Sequence, residues 1–145
     1  MSMKNKIQIA IKEAMKSRDS LRLECLRMAK GALLIKEKAS GKELTDEDVV
    51  GALRGEVRKR KQSIDIFREH GKEEAAAREE REIAVLEEFL PQQLSREALE
   101  EKAKAFLEAH PEINHAGKLT GALKKELGDT ADGKMLNEVC RSLLS

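Results

Sequence analysis

Residues 45–91 read TDEDVVGALRGEVRKRKQSIDIFREHGKEEAAAREEREIAVLEEFLP, and this stretch decides the fold. Thr45 followed three residues later by Asp48 resembles a capping box, the start signal of a helix. Val49, Val50, Leu53, Val57, Ile64 and Phe67 then recur at helical spacing as far as Gly71. Beyond the glycine a short acidic helix over about Lys72 to Phe89 places Ala76, Ile83, Leu86 and Leu90 on one face. Pro91 ends it, because the residue before a proline is held out of the helical region. Two helices turning at Gly71 make a hairpin, and position 71 minus n then faces about position 71 plus n.

The composition agrees. The chain has 145 residues, with 38% charged, 2% aromatic and two prolines, a mixture that favours solvated helices over strands. Its 40% hydrophobic content is enough for a core. An all-α protein is expected, in the size range of one ordinary domain or two small ones. With 28 Lys and Arg against 27 Asp and Glu the net charge is +1, so bulk charge points to neither nucleic acid nor membrane. Locally the balance is uneven: residues 1–40 carry a net charge of +6, residues 41–94 of −4 and residues 95–145 of −1.

Upstream of the hairpin, Ile7, Ala10, Ile11, Ala14 and Met15 form an amphipathic stripe over Asn5 to Ser17. A second helix restarts at Asp19 or Ser20, with Leu23, Leu26, Ala29, Leu33 and Ile35 as its apolar set and Ser40-Gly41 as its stop. Downstream, Ser95 caps a helix bearing Leu99, Ala103, Phe106 and Leu107 that stops near His110-Pro111. Asn114 is the expected cap of the next, which carries Leu119, Leu123 and Leu127 and ends at Gly128. Asp132-Gly133 opens the last, with Leu136, Val139, Cys140, Leu143 and Leu144. Pro91-Gln92-Gln93-Leu94 marks a boundary. The expected architecture is an N-terminal helical hairpin or bundle over residues 1–90 and a small three-helix domain over residues 95–145. Cys25 and Cys140 fall inside apolar patterns with no CxxC spacing, which reads as reduced, buried thiols in a cytoplasmic protein. No run approaches the 18 apolar residues of a membrane span, so no membrane partner is expected.

The densest positive patch is Arg58-Lys59-Arg60-Lys61, with Arg54 one turn earlier, and phosphate binding is its functional reading. The hairpin register sets Lys59 and Arg60 among Glu79, Glu80, Glu82 and Ile83, so the favoured reading is pairing within a solvated hairpin. Residues 128–135 fall short of a P-loop, since Met135 stands where Ser or Thr would hold magnesium and a helix rather than a strand leads in. Gly117 and Gly121, flanking Lys118, are costly in a helix and imply close approach of another backbone, either a neighbouring helix or a nucleic-acid phosphate at the helix N-terminus. His70, His110 and His115 build no metal or triad spacing, and no cofactor, metal site or catalytic residue is expected. Phe67, Phe89 and Phe106 all sit on apolar faces, which favours backbone or shape recognition of a nucleic acid over base stacking.

Two stretches together carry a resemblance: Glu56-Val-Arg-Lys-Arg-Lys-Gln-Ser63 through Leu90-Pro91-Gln-Gln-Leu94, and Gly117-Lys-Leu-Thr-Gly121 through Gly128 to Ala131-Asp-Gly-Lys-Met-Leu-Asn137. Over essentially the whole chain they resemble the YqeY-type proteins, the stand-alone branch of the GatB/YqeY family. Phe89 departs from the tyrosine common before the Leu-Pro, which loses one hydroxyl. The resemblance implies a helical N-terminal domain and a three-helix tail of the kind fused to the B subunit of tRNA-dependent amidotransferase, a carbon–nitrogen ligase using glutamine as amide donor. Nothing in 145 residues matches that enzyme's catalytic machinery. The implied role is a non-catalytic tRNA-binding accessory module, and the alternative is a helical adaptor docking on an amidotransferase or aminoacyl-tRNA synthetase subunit. Carried onto this chain, the implied tail positions are Gly117, Lys118, Gly121, Gly128, Asp132, Gly133 and Asn137. Lys124, Lys125 and Lys134 join them on chemical grounds, as positive charge on the same small domain.

Overall fold

The computed structural model describes residues 1–144; Ser145, the last residue of the expected C-terminal domain, lies outside them. Among the described residues the chain forms seven α-helices and one 3-10 turn and no strand, so the fold is all-α as expected. It divides into two compact units, Met1–Leu90 and Pro91 onward. None of these helices is long and apolar enough to cross a membrane.

The first unit holds α1 (Met3–Ser17), α2 (Ser20–Ser40), α3 (Asp46–Glu69) and α4 (Glu73–Glu87). Each start is chemically explicit. Ser2 Oγ accepts from the Asn5 N–H and Asp19 Oδ1 from the Arg22 N–H, both at 3.2 Å. The capping box is complete: Thr45 Oγ1 accepts from the Asp48 N–H at 3.2 Å, and Asp48 Oδ2 from the Thr45 N–H at 3.0 Å. At the tip Gly71 takes φ +70°, a region where a side chain is strained, and the Lys72 N–H reaches back to the Phe67 carbonyl at 2.8 Å. The α3–α4 hairpin is the most extensive helix pairing in the chain. Its core joins Ile7 and Ile11 of α1, Leu26 and Leu33 of α2, Val49 and Leu53 of α3 and Leu86 of α4.

Cys25 is buried on α2 as expected, but Ile35 is 71% exposed rather than part of the core. The stripe through Leu26, Ala29 and Leu33 reaches its next inward position at about residue 36 or 37, so residue 35 lies on the opposite face of the helix. The basic run also differs from a uniformly solvated face: Arg60 is only 6% exposed, whereas Arg58, Lys59 and Lys61 are exposed.

The second unit holds α5 (Arg96–Ala109), α6 (Ala116–Leu127), the 3-10 turn Gly128–Thr130 and α7 (Gly133–Leu144). Leu99, Ala103, Leu119, Leu123, Ala131, Leu136, Val139 and Cys140 form its core. Ser95 Oγ caps α5 by accepting from the Ala98 N–H at 3.1 Å. The cap of α6 is His115 rather than Asn114, because the imidazole Nδ1 accepts from the Gly117 N–H at 3.0 Å. Gln93 and Leu94 are tied into this unit: the Leu94 N–H donates to the Thr130 carbonyl at 2.7 Å and Gln93 Nε2 to the Asp129 carbonyl at 3.0 Å.

Candidate nucleic-acid interface

The candidate residues of the second unit are laid out by the burial of α6 and α7. Leu119 and Leu123 of α6 face the core, which turns Lys118, Gly121 and Lys125 to the opposite side at i, i+3 and i+7. All three are exposed. On α7 the buried Leu136, Val139 and Cys140 leave Lys134 facing solvent and Asn137 half-buried on the flank.

Lys124 Nζ donates to the Ala131 carbonyl at 2.7 Å, just before α7, and only the short stretch Gly128 to Asp132 separates α6 from α7, which share one core. The helices therefore run antiparallel. Since α6 has twelve residues, Gly117 and Lys118 stand about 15 Å from its other end. The structure thus gathers Lys124, Lys125, Gly133 and Lys134 at one end of the α6–α7 pair and leaves Gly117 and Lys118 at the other, with Gly121 between.

The local chemistry separates candidates that are free from those already used. Lys124 closes the loop between α6 and α7, so its ammonium serves that loop's carbonyl; Lys118, Lys125 and Lys134 make no ion pair among the described residues. Gly117 has a purely local reason: a Cβ there would sit 2.9 Å from Cε1 of the His115 ring that caps the helix. The expected close approach of a neighbouring backbone is absent at this position. Gly121 has no such reason, since a Cβ would meet nothing within 4 Å. Gly128 ends α6 at φ +58° and ψ −134°, a conformation that side chains rarely adopt. Asp132 Oδ2 caps α7 through the Met135 N–H at 3.0 Å, and Gly133 follows it as the first helical residue. Gly128 and Asp132 are therefore structural residues of the turn between α6 and α7.

The basic run of the first unit has a different fate. Arg60 Nη1 lies 3.2 Å from Glu56 Oε1, Nη2 lies 3.4 Å from Glu82 Oε1, and Nε lies 3.9 Å from Glu79 Oε2. Desolvation raises the Glu79 carboxyl above its ordinary value, and the neighbouring Glu82 adds to the rise. Arg68 pairs with Glu73 and Glu80 nearer the tip. Arg60 meets Glu82 across the hairpin, as the register about Gly71 leads one to expect. Lys59 instead pairs along its own helix with Glu56, at 3.3 Å. The four-residue run contributes one buried guanidinium to the fold and no continuous phosphate-binding row. Sequence reasoning missed this split because the signal is weak: Arg60 differs from its neighbours only by sharing the Leu53, Val57 and Ile64 face. Among the described residues no group of three or more His, Cys, Asp and Glu is arranged to hold a metal ion.

The family description "Yqey-like protein" matches residues 4–144, nearly the whole chain. An uncharacterized protein of Schizosaccharomyces pombe is 34% identical over 83 residues, 57% of this chain and 68% of that relative.

Proposed function

This chain belongs to the Yqey-like family, and from that premise we propose that it is a non-catalytic accessory protein whose second unit binds tRNA by its shape and phosphates. The observation that carries the reading is the outer face of α6. Lys118 and Lys125 stand exposed on either side of a glycine whose missing side chain no neighbour in the unit requires. A bare backbone between two cations suits the close approach of a phosphodiester chain, which contributes charge and contour rather than base edges. Lys134, exposed near the start of α7, adds positive charge at the same end of the helix pair as Lys125, with Gly133 and Asn137 near it in sequence.

The amidotransferase association supports tRNA as the nucleic acid, and any carbon–nitrogen ligase activity would belong to a partner enzyme. The protein acts in the cytoplasm on this reading. The test is the anisotropy of fluorescently labelled total tRNA titrated with protein at two salt concentrations, the label being needed because the chain has neither Trp nor Tyr. Binding that weakens steeply with salt is expected. Replacing Lys118, Lys125 and Lys134 together by Glu abolishes it while the helical circular dichroism stays intact; unchanged affinity in that variant overturns the proposal. A complex with an amidotransferase or synthetase subunit that survives nuclease and high salt would favour the adaptor role instead.

A further inference from the structure

The outer face of α2 presents large apolar side chains to solvent: Met28 is 59% exposed, Leu34 47% and Ile35 71%. These are not scattered. Met28, Gly31, Ala32 and Ile35 stand at i, i+3, i+4 and i+7, the four positions that on a helix surface form the hole receiving one knob from a facing helix. Gly31 makes that hole deep, since the space where its Cβ would lie meets nothing within 4 Å.

Charge says what fills it. Both carboxylates of α2 are already held inside the unit, Glu24 by Arg78 at 2.6 Å and Glu37 by Lys4 at 2.7 Å. Arg27 and Lys38 on one flank of the hole are exposed and make no ion pair among the described residues, and Lys36 on the other is exposed with its charge already acting on the Asp48 carboxyl. We infer that this face docks one amphipathic α-helix of a protein partner, with its apolar stripe seated on Met28, Gly31, Ala32 and Ile35 and acidic residues on both flanks. The flanking cations disfavour a second copy of the chain, because residues 1–40 carry net charge +6 and would meet themselves. An RNA would find cations here but no use for the apolar ridge, and a lipid surface would cover the ridge without filling the hole. The inference stands on α2 alone and is independent of the tRNA reading.

The experiment places a benzophenone amino acid at position 35 of the full chain, with a control at the exposed Lys16, in cells that make the protein. The photoadduct is mapped by mass spectrometry, and the mapped segment is then synthesised and titrated. The expected adduct joins position 35, not position 16, to a segment of another protein with apolar residues at helical spacing and Asp or Glu on both sides. Gly31→Leu fills the hole and lowers the adduct at least tenfold, while helicity, melting temperature and tRNA anisotropy hold. Arg27→Glu with Lys38→Glu weakens the synthetic segment at least tenfold. An adduct to a second copy, to lipid, to RNA or to a segment with basic flanks overturns the inference, as does no adduct or one indifferent to Gly31→Leu. A loss of tRNA binding in the lysine variants of the second unit would leave this result untouched.

Discussion

Arg60 of α3 lies within 3.4 Å of Glu82 of α4, eleven residues before and eleven after Gly71, with Glu56 and Glu79 around the same guanidinium. One buried cation thus serves three carboxylates, whose side chains are themselves only 12–23% exposed. Removing it leaves Glu79 without its ion-pair partner and leaves Glu56 and Glu82 only the more exposed Lys59 and Arg78, where water is scarce. Arg60→Ala is expected to cost about 3–5 kcal/mol in urea unfolding, as for breaking a buried ion pair. Arg58→Ala and Lys61→Ala, at exposed sites, should stay within about 0.5 kcal/mol. Equal effects of all three would show that the run acts as a solvated face.

Gly117 and Gly121 are both glycines of α6 and should respond oppositely to alanine. Gly121→Ala meets open space and gains helix propensity, so the protein should gain roughly 0.5–1 kcal/mol in stability. On the proposed function the same variant binds tRNA more weakly, because its methyl group stands where a phosphate approaches. Gly117→Ala pushes the His115 ring from its cap and should lose about 1 kcal/mol. A thermal melt of each variant with a parallel tRNA titration decides the matter; a Gly121→Ala protein that binds normally removes the ligand reason for that glycine.

Lys124 and Lys125 are neighbours with separable roles. Lys124→Met loses the bond to the Ala131 carbonyl and should cost about 1 kcal/mol of stability. Its effect on tRNA affinity should be the smaller one. Lys125→Met should leave the melting temperature in place and weaken tRNA binding, with a shallower dependence on salt. Reversal of the two would assign the loop contact, not the outer face of α6, to the ligand.

Alkaline pH should find Cys25. Burial pushes its thiol up to about 11, against the pull of the nearby Arg60 guanidinium. The unfolded thiol ionises near 9, so the folded state holds its proton longer. The associated stability is therefore complete below pH 9 and is lost as the pH rises to about 11. With about 1.4 kcal/mol per pH unit, the loss approaches 2–3 kcal/mol across that window. The chain has no tyrosine to titrate in the same range. Urea unfolding of the wild type and Cys25→Ala at pH 8.5 and 10.5 isolates the term, and parallel stability losses in the two would refute it. Iodoacetamide should modify Cys25 only as fast as the protein opens, because the sulfur is fully buried.

Much of the fold was legible in the chain itself because its signals are local. Thr45 and Asp48 cap the helix that their spacing announces, Gly71 and Gly128 take the positive φ that their positions demand, and the apolar periods of α3, α5 and α7 match the buried faces. Two of the errors missed signals that are themselves local. Ile35 continues an apolar list but not the stripe that packs, and His115 captures a cap that Asn114 was equally able to make. The candidate site was legible only as a set of residue types. Which lysines are free depended on the loop that brings Ala131 to Lys124, and which glycine lacks an internal reason depended on where the His115 ring lies.

Most helix starts and apolar faces were determined by the sequence alone, because capping and periodicity act over four to eight residues of one continuous backbone, although α4 stops at Glu87, ahead of the Pro91 expected to end it. The gathering of Glu56, Glu79 and Glu82 around Arg60 was decided only in three dimensions, as was the separation of Lys124 from Lys125. Each depends on what another helix places within a few ångströms, and that proximity is a property of packing that no local pattern encodes.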